Sequence, residues 1–359
     1  MNKIIFVLMG ILLLTACGGQ QSLTGSVVAS DSFDVALVLP LTGKAAQVGH
    51  DFLRAVELKH KELNSTVVLH IDDTRTIPAE AITITRRILD TQDIDLIVAL
   101  QAQVSMPLLA VADQYDIPLL STLTTLPASE FSRRSDNAFL VWPIPEDQLE
   151  KTAQFMKARN YTTAATLTVF DEFGNTMATM LESYFDGEII QEEVFEIAEL
   201  DYRTSLMKIR ELNPDVLYVI GYPPHLINIL RQRKELGMTH IPVVSTIHIQ
   251  SDFVKQEAGL DLFEDVFAVV PIAFINNNQD NFFDRYRTTF DVEPDFLAPF
   301  GHDVMLILDE LSKEPKNLKE TIFALDFEGM NGQMTFNKHG EVRMPLVIAD
   351  AKDNSVVYT

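Results

Sequence analysis

The chain has 359 residues, 47% of them apolar and 22% charged, with 51 Asp and Glu against 28 Lys and Arg and a formal net charge of −23. So acidic a balance excludes a nucleic-acid binder, which needs a basic face for phosphate, while the apolar share is ample for a packed core. The length is about twice that of a typical domain, so two lobes are expected.

At the start, one charge, Lys3, precedes an apolar run from Ile4 to Leu14. The run falls short of the roughly 20 residues a spanning helix needs and has the length of a signal-peptide core. Cys17, the only cysteine, follows three residues later. Leu14-Thr15-Ala16-Cys17 resembles the lipobox of bacterial lipoproteins. The resemblance implies that residues 1–16 are a signal peptide, that a diacylglyceryl group joins the Cys17 sulfur, and that the new amino terminus is acylated. Such a chain keeps no free thiol, disulfide or cysteine-ligated metal, and two or more acyl chains anchor it stably. Residues 17–32, rich in Gly, Ser and Gln, read as a flexible tether. The expected location is extracytoplasmic, lipid-anchored at Cys17 and facing the periplasm or the cell surface. Gly18 after the cysteine leaves the outer membrane open in a diderm cell.

Apolar runs and amphipathic stretches then alternate. Asp34–Leu39 is a continuous apolar run closed by Pro40, as in a strand covered on both faces. The spacing of Val48, Phe52, Ala55, Val56 and Leu63 predicts a helix over 46–63. Strands are expected at 66–71, 95–100 and 117–120, with helices over 79–89 and from near Ser105, where Pro107 is tolerated early. This βαβαβαβ order implies a parallel sheet between helices. The pattern recurs, with strands at 164–170, 188–197, 215–220 and 241–245 and helices at 174–184, 202–212 and 226–236. Phe139–Asp147, with two prolines beside the sole Trp, reads as a guided hinge. Helices at 279–290 and 299–311 and short strand-like runs at 334–336 and 346–348 close the chain. The fold class is therefore α/β, two doubly wound parallel-sheet lobes, with the chain crossing between them more than once.

Open parallel sheets bind ligands beyond the carboxyl ends of their strands. The residues following the strands are Pro40–Gly43, Asp72–Thr74, the Gln101, Gln103 and Ser105 stretch, and Ser121–Thr125; then Asp171, Phe173 and Gly174; Gly221–Pro223; and Thr246 with His248. Ser121–Thr125 precedes Pro127, read as a first helical position. Its hydroxyls and N–H groups either hold a carboxylate or only cap and order the loop. Ser105 reads first as an N-cap. Phe173 and Tyr222 read as lobe-edge aromatics that face a ligand or pack. Asp72-Asp73 reads as a solvated or capping pair. No G-x-S-x-G, P-loop or H-E-x-x-H is present, and the eight histidines, at 50, 60, 70, 225, 240, 248, 302 and 339, nowhere pair at zinc spacing. No catalytic or metal site and no cofactor is expected.

The stretches ALVLPLTGKAAQVGHDFLRAVELKHKELN, DDT, LIVALQAQVSMPLLAVADQYDIPLLSTLTTLP, DEFG, IGYPP, FGHDVMLIL and FEGMNGQMTFNKHGE follow one another over nearly the whole mature chain. In order and spacing they resemble the Leu/Ile/Val-binding protein family, the extracytoplasmic solute receptors of ABC importers with the type I periplasmic-binding fold. The resemblance implies two lobes joined by three crossovers, residues 33–142 with 272–331 and 143–271 with 332–359, closing on a ligand between them. It places Gln101, Gln103 and Ser105 on a ligand loop and Leu123, Thr124 and Thr125 on the segment that grips a carboxylate. Phe173 stands for a tyrosine and Tyr222 for an aromatic of the second lobe. Thr246 and His248 lie where amino-acid receptors place an acid for the α-ammonium. Here no acid lies within Thr246–Gln250, Ala99 replaces a glycine and Thr122 a proline. The expected function is thus a monomeric solute receptor that takes an amino-acid-like, amide or organic-acid ligand and hands it to the importer's membrane subunits. The alternative is an envelope lipoprotein with a degenerate cleft that regulates a protein partner such as a cell-wall synthase.

Overall fold

The computed structural model describes residues 32–43, 45–275 and 281–359. The lipobox, Cys17 and nearly all of the tether lie outside the described residues.

The first lobe is a five-stranded parallel sheet in the order β2-β1-β3-β4-β5. Its strands are β1 (Asp34–Leu39), β2 (Val68–Asp73), β3 (Leu96–Leu100), β4 (Leu119–Thr122) and β5 (Ala138–Leu140). Helices α1 (Ala46–Leu63), α2 (Pro78–Thr91) and α3 (Ala102–Tyr115) cover it. Every residue of β3, and all of β1 after Asp34, is buried, which is why both read as unbroken apolar runs. β2, an edge strand, leaves Val68 and Ile71 partly exposed.

The chain crosses at Val141–Ile144 and enters the second lobe through α4 (Pro145–Ala158), which takes Pro145 at its first turn. The strands there are β6 (Thr163–Val169), β7 (Glu188–Phe195), β8 (Val216–Ile220), β9 (Val243–Ser245) and β10 (Val266–Pro271). They alternate with α5 (Glu172–Tyr184), α6 (Arg203–Leu212), α7 (Pro223–Glu235) and α8 (Asp252–Ala258). After β10 the chain returns to the first lobe as α9 (Phe282–Phe290), α10 (Ala298–Leu311) and α11 (Leu318–Ala324), with α10 against α1. A small antiparallel sheet of β11 (Asp326–Gly329), β12 (Gly332–Phe336) and β13 (Val342–Arg343) follows. Residues 332–343, expected with the second lobe, reach the first. The Leu140 N–H donates to Gly340 O at 2.8 Å, and Ser132 donates to Glu341 at 2.7 Å. Only β14 (Leu346–Asp350) and β15 (Val356–Tyr358) rejoin the second sheet, antiparallel at its edge. That sheet runs β15-β14-β10-β9-β8-β6-β7.

Several expectations are corrected. The connector at 139–147 contains the end of β5 and the start of α4, and β10 is a strand that periodicity alone passed over. Ser105 is not an N-cap: α3 begins at Ala102, with Gln101 before it at φ 75°. Pro127 precedes only a single 3-10 turn, at Ala128–Glu130.

Candidate functional site

In both sheets strand order reverses beside the first strand, between β1 and β3 and between β6 and β8. Side chains beyond these carboxyl ends are where a ligand belongs.

In the first lobe the hydroxyls form a closed relay. Ser121 Oγ–H donates to Ser105 Oγ at 2.6 Å, and Thr124 Oγ1 lies 2.7 Å from Ser121 Oγ. All three residues are fully buried, and Leu123 between them adopts φ 55°. Ser105 and Thr124 therefore order the loop. Thr125 is half-buried, and its Oγ1 accepts the Trp142 indole N–H at 3.2 Å. That bond uses one acceptor site and leaves the hydroxyl hydrogen available to donate. Trp142 is fixed by Phe300, with ring centroids 4.6 Å apart, so the connector's sole indole sets the loop's polarity. Gln101 lies at the end of β3, with its Oε1 buried and unpartnered among the described residues; Gln103 is exposed.

In the second lobe three loops bring rings together. Phe173 opens α5, Tyr222 precedes α7 and His248 lies in a 3-10 turn over Ile247–Gln250. Phe173 lies 5.3 Å from His248 and 6.0 Å from Tyr222, and Tyr222 lies 6.0 Å from His248, centroid to centroid. The Tyr222 hydroxyl donates to Asp171 Oδ2 at 2.7 Å. Burial, then the Asp171 carboxylate, push its phenol above its ordinary value. Burial lowers the His248 imidazole to about 4, so the ring is neutral at neutral pH. Thr246 Oγ1 lies 3.1 Å from His248 Nδ1.

Phe296 extends this cluster from the first lobe, 5.4 Å from the His248 ring. It precedes α10 on a segment tied to α1, because Asp51 accepts the N–H groups of Asp295 at 2.9 Å and Leu297 at 3.0 Å. Asp295 in turn accepts the Ser251 hydroxyl at 3.0 Å. Phe296, Asp51 and Trp142 were not read as site residues, since the groups they meet lie on distant segments, and Gln250 has no hydrogen-bond partner among the described residues to mark it.

Asp72 and Asp73 have structural work. Asp72 pairs with Arg87 at 2.8 Å, and Asp73 accepts the N–H groups of Leu41, Thr42 and Arg75 and the Thr42 hydroxyl. Burial raises the Asp73 carboxyl, but those bonds outweigh it and hold it below the usual range. Among the described residues no group of three His, Cys, Asp or Glu is placed to hold a metal. A cavity of about 760 Å³ lies apart from the rings, against α10, α11 and β11. Its volume carries no functional argument, because no ring or hydroxyl of the cluster lines it.

The sequence profile of the family described as "Periplasmic binding protein" matches residues 32–355. The chain belongs to the periplasmic binding protein family. The leucine-, isoleucine-, valine-, threonine- and alanine-binding protein of Pseudomonas aeruginosa is 22% identical over 334 residues, 88% of each chain. Among solved structures, the branched-chain amino acid transporter substrate-binding protein of Streptococcus pneumoniae, in complex with isoleucine, superposes with a TM-score of 0.79 at 18% identity, covering 91% of this chain and 98% of that one. A solute-binding protein from R. palustris in complex with benzoate gives 0.77 at 17% identity, covering 91% and 95%. The likeness carried by the motifs from P-L-T-G to the closing glycine pattern thus holds for family and fold. Members of this family are solute-binding proteins of ABC transporters, which are not enzymes.

Proposed function

We propose that this periplasmic binding protein is the extracytoplasmic solute receptor of an ABC importer, held to the membrane through Cys17, with its ligand taken between the lobes. The observation that carries the reading is the ring cluster of Phe173, Tyr222 and His248, placed by three separate strand ends and met by Phe296 from the opposite lobe. Three loops converging on one point supply an apolar wall with a few placed polar groups, the make-up of a small-molecule site. Thr125, whose hydroxyl accepts the Trp142 indole and keeps its own hydrogen, supplies a donor from the first lobe. The neutral imidazole offers one donor and one acceptor nitrogen and no charge of its own, which suits an uncharged polar group. The relatives' ligands, branched-chain amino acids and benzoate, mark the size range.

The test is thermal unfolding of the purified protein against amino acids, carboxylates, amides and short peptides. A ligand that binds only the folded state adds about 2.7 kcal/mol at a hundredfold over its dissociation constant. A shift with one chemical class, lost in Thr125→Ala and Tyr222→Ala, supports the receptor. No shift across the panel refutes it and turns the search to a protein partner.

A further inference from the structure

Gln250 is 5% exposed, and neither its Oε1 nor its Nε2 has a hydrogen-bond partner among the described residues. Buried side-chain amides are nearly always paired, because an unmade bond leaves the lost hydration uncompensated. The residue ends the 3-10 turn after β9, between two contacts that reach the first lobe. On one side His248 packs on Phe296 at 5.4 Å, and on the other Ser251 donates to Asp295 at 3.0 Å. Gln250 is therefore buried at the boundary between the lobes, beside the ring cluster.

An amide with both ends open presents a donor and an acceptor side by side in one plane. One ligand group satisfies both if it offers an acceptor and a donor at the same spacing, as a primary carboxamide or a lactam does. An ammonium has only donors and a carboxylate only acceptors, so each leaves one end of Gln250 open. Two carboxylates near this boundary already accept hydrogen bonds. Asp171 accepts the Gly174 N–H and the Tyr222 hydroxyl, and Asp295 accepts the Phe296 N–H and the Ser251 hydroxyl.

We propose that the solute carries a cis-amide group, a primary carboxamide or a lactam, and that Gln250 selects it through a pair of hydrogen bonds. The proposal rests on the solute-receptor reading and narrows its ligand class. The experiment is calorimetric titration of the purified protein with isovaleramide, benzamide, isovalerate, benzoate and L-leucine. It is repeated with Gln250→Leu, and with Gln250→Asn should the leucine variant not fold. The expected result is that an amide binds at least tenfold tighter than its matched acid and than leucine. The variant should lose at least tenfold in amide affinity at an unchanged or higher melting temperature. Binding of leucine or an acid in preference to both amides leaves the receptor standing and overturns the selection by Gln250. So does unchanged amide affinity in the variant. No binding by any of the five compounds overturns both.

Discussion

Asp51 offers the sharpest test of the segment that joins the lobes. Its carboxylate is 1% exposed and accepts three hydrogen bonds, from the N–H groups of Asp295 and Leu297 and from the Tyr286 hydroxyl at 3.0 Å. Burial outweighs those donors, and the neighbouring Asp295 adds to it, so the carboxyl is raised to about 7. In the unfolded chain the group titrates near 3.8. Between those values the folded protein binds more protons, so this group's contribution is full below the unfolded value and is lost as pH rises through the folded one. From about pH 8 down to about pH 4.5 the stabilisation grows by about 3 kcal/mol, at 1.36 kcal/mol per unit. His248 opposes it. Its imidazole is lowered to about 4, so its contribution is present above the unfolded value near 6.5 and is lost as pH falls toward 4. The two slopes largely cancel in the wild type, and a pH scan of that protein alone reveals little.

The informative quantity is the difference between wild type and Asp51→Asn. Asparagine keeps the shape and cannot titrate, while its amide must face a backbone N–H that the carboxylate accepted. Urea unfolding of both proteins at several pH values gives that difference. The advantage of the wild type should widen by about 3 kcal/mol from pH 8 to pH 4.5. A difference constant to within about 1 kcal/mol would mean that the three donors offset burial and that the carboxyl ionises normally in the fold.

Three further outcomes follow from the geometry. Tyr222→Phe deletes a hydrogen bond to a carboxylate and should cost about 1.5–3 kcal/mol in urea unfolding; a loss below about 0.5 kcal/mol would show the bond to be idle in solution. A Cβ at Gly174 would stand 1.9 Å from the Val169 carbonyl oxygen, so Gly174→Ala should lower stability by about 2 kcal/mol or more, read as a fall in melting temperature. Cys17→Ser should move the protein from the membrane fraction to the soluble fraction of cells; unchanged sedimentation would refute the lipid anchor.

Legibility followed how local each constraint was. β1, β3 and β8 announced themselves because each is buried on both faces, and α1 kept its bounds because its apolar face repeats at helical spacing. β5 is three residues long and runs into a proline-rich turn, so nothing local separates it from a connector. α4 starts at Pro145 on residues that also suit a hinge. In the site, Phe173, Tyr222 and His248 were readable as strand-end residues, and the structure brings their rings together. Ser105 was read as a cap because a hydroxyl before a helical pattern usually is one; its partner Ser121 is 16 residues away. Asp51 looked like any polar residue of the second turn of a helix, since the backbone it holds lies 244 residues on.

That distant segment has a consequence for how the lobes work together. Asp51 pins the N–H groups of Asp295 and Leu297 to the first lobe, so the residue between them cannot follow the second. Yet Phe296 packs on His248, and Asp295 holds Ser251, both from the second lobe. Any motion that parts the sheets must break these two contacts or tear the segment from α1. The second route gives up two buried backbone bonds to one carboxylate. The first gives up one part-buried hydroxyl bond and one ring contact, so it is the cheaper. Opening therefore uncovers His248, and with it Phe173 and Tyr222. A solute filling that cluster takes the place Phe296 would vacate only if it brings equal apolar contact. Otherwise it must sit beside Phe296 and add to the closed state. The second arrangement lets binding favour closure, because a ligand shifts such an equilibrium only by what it gains in one state over the other.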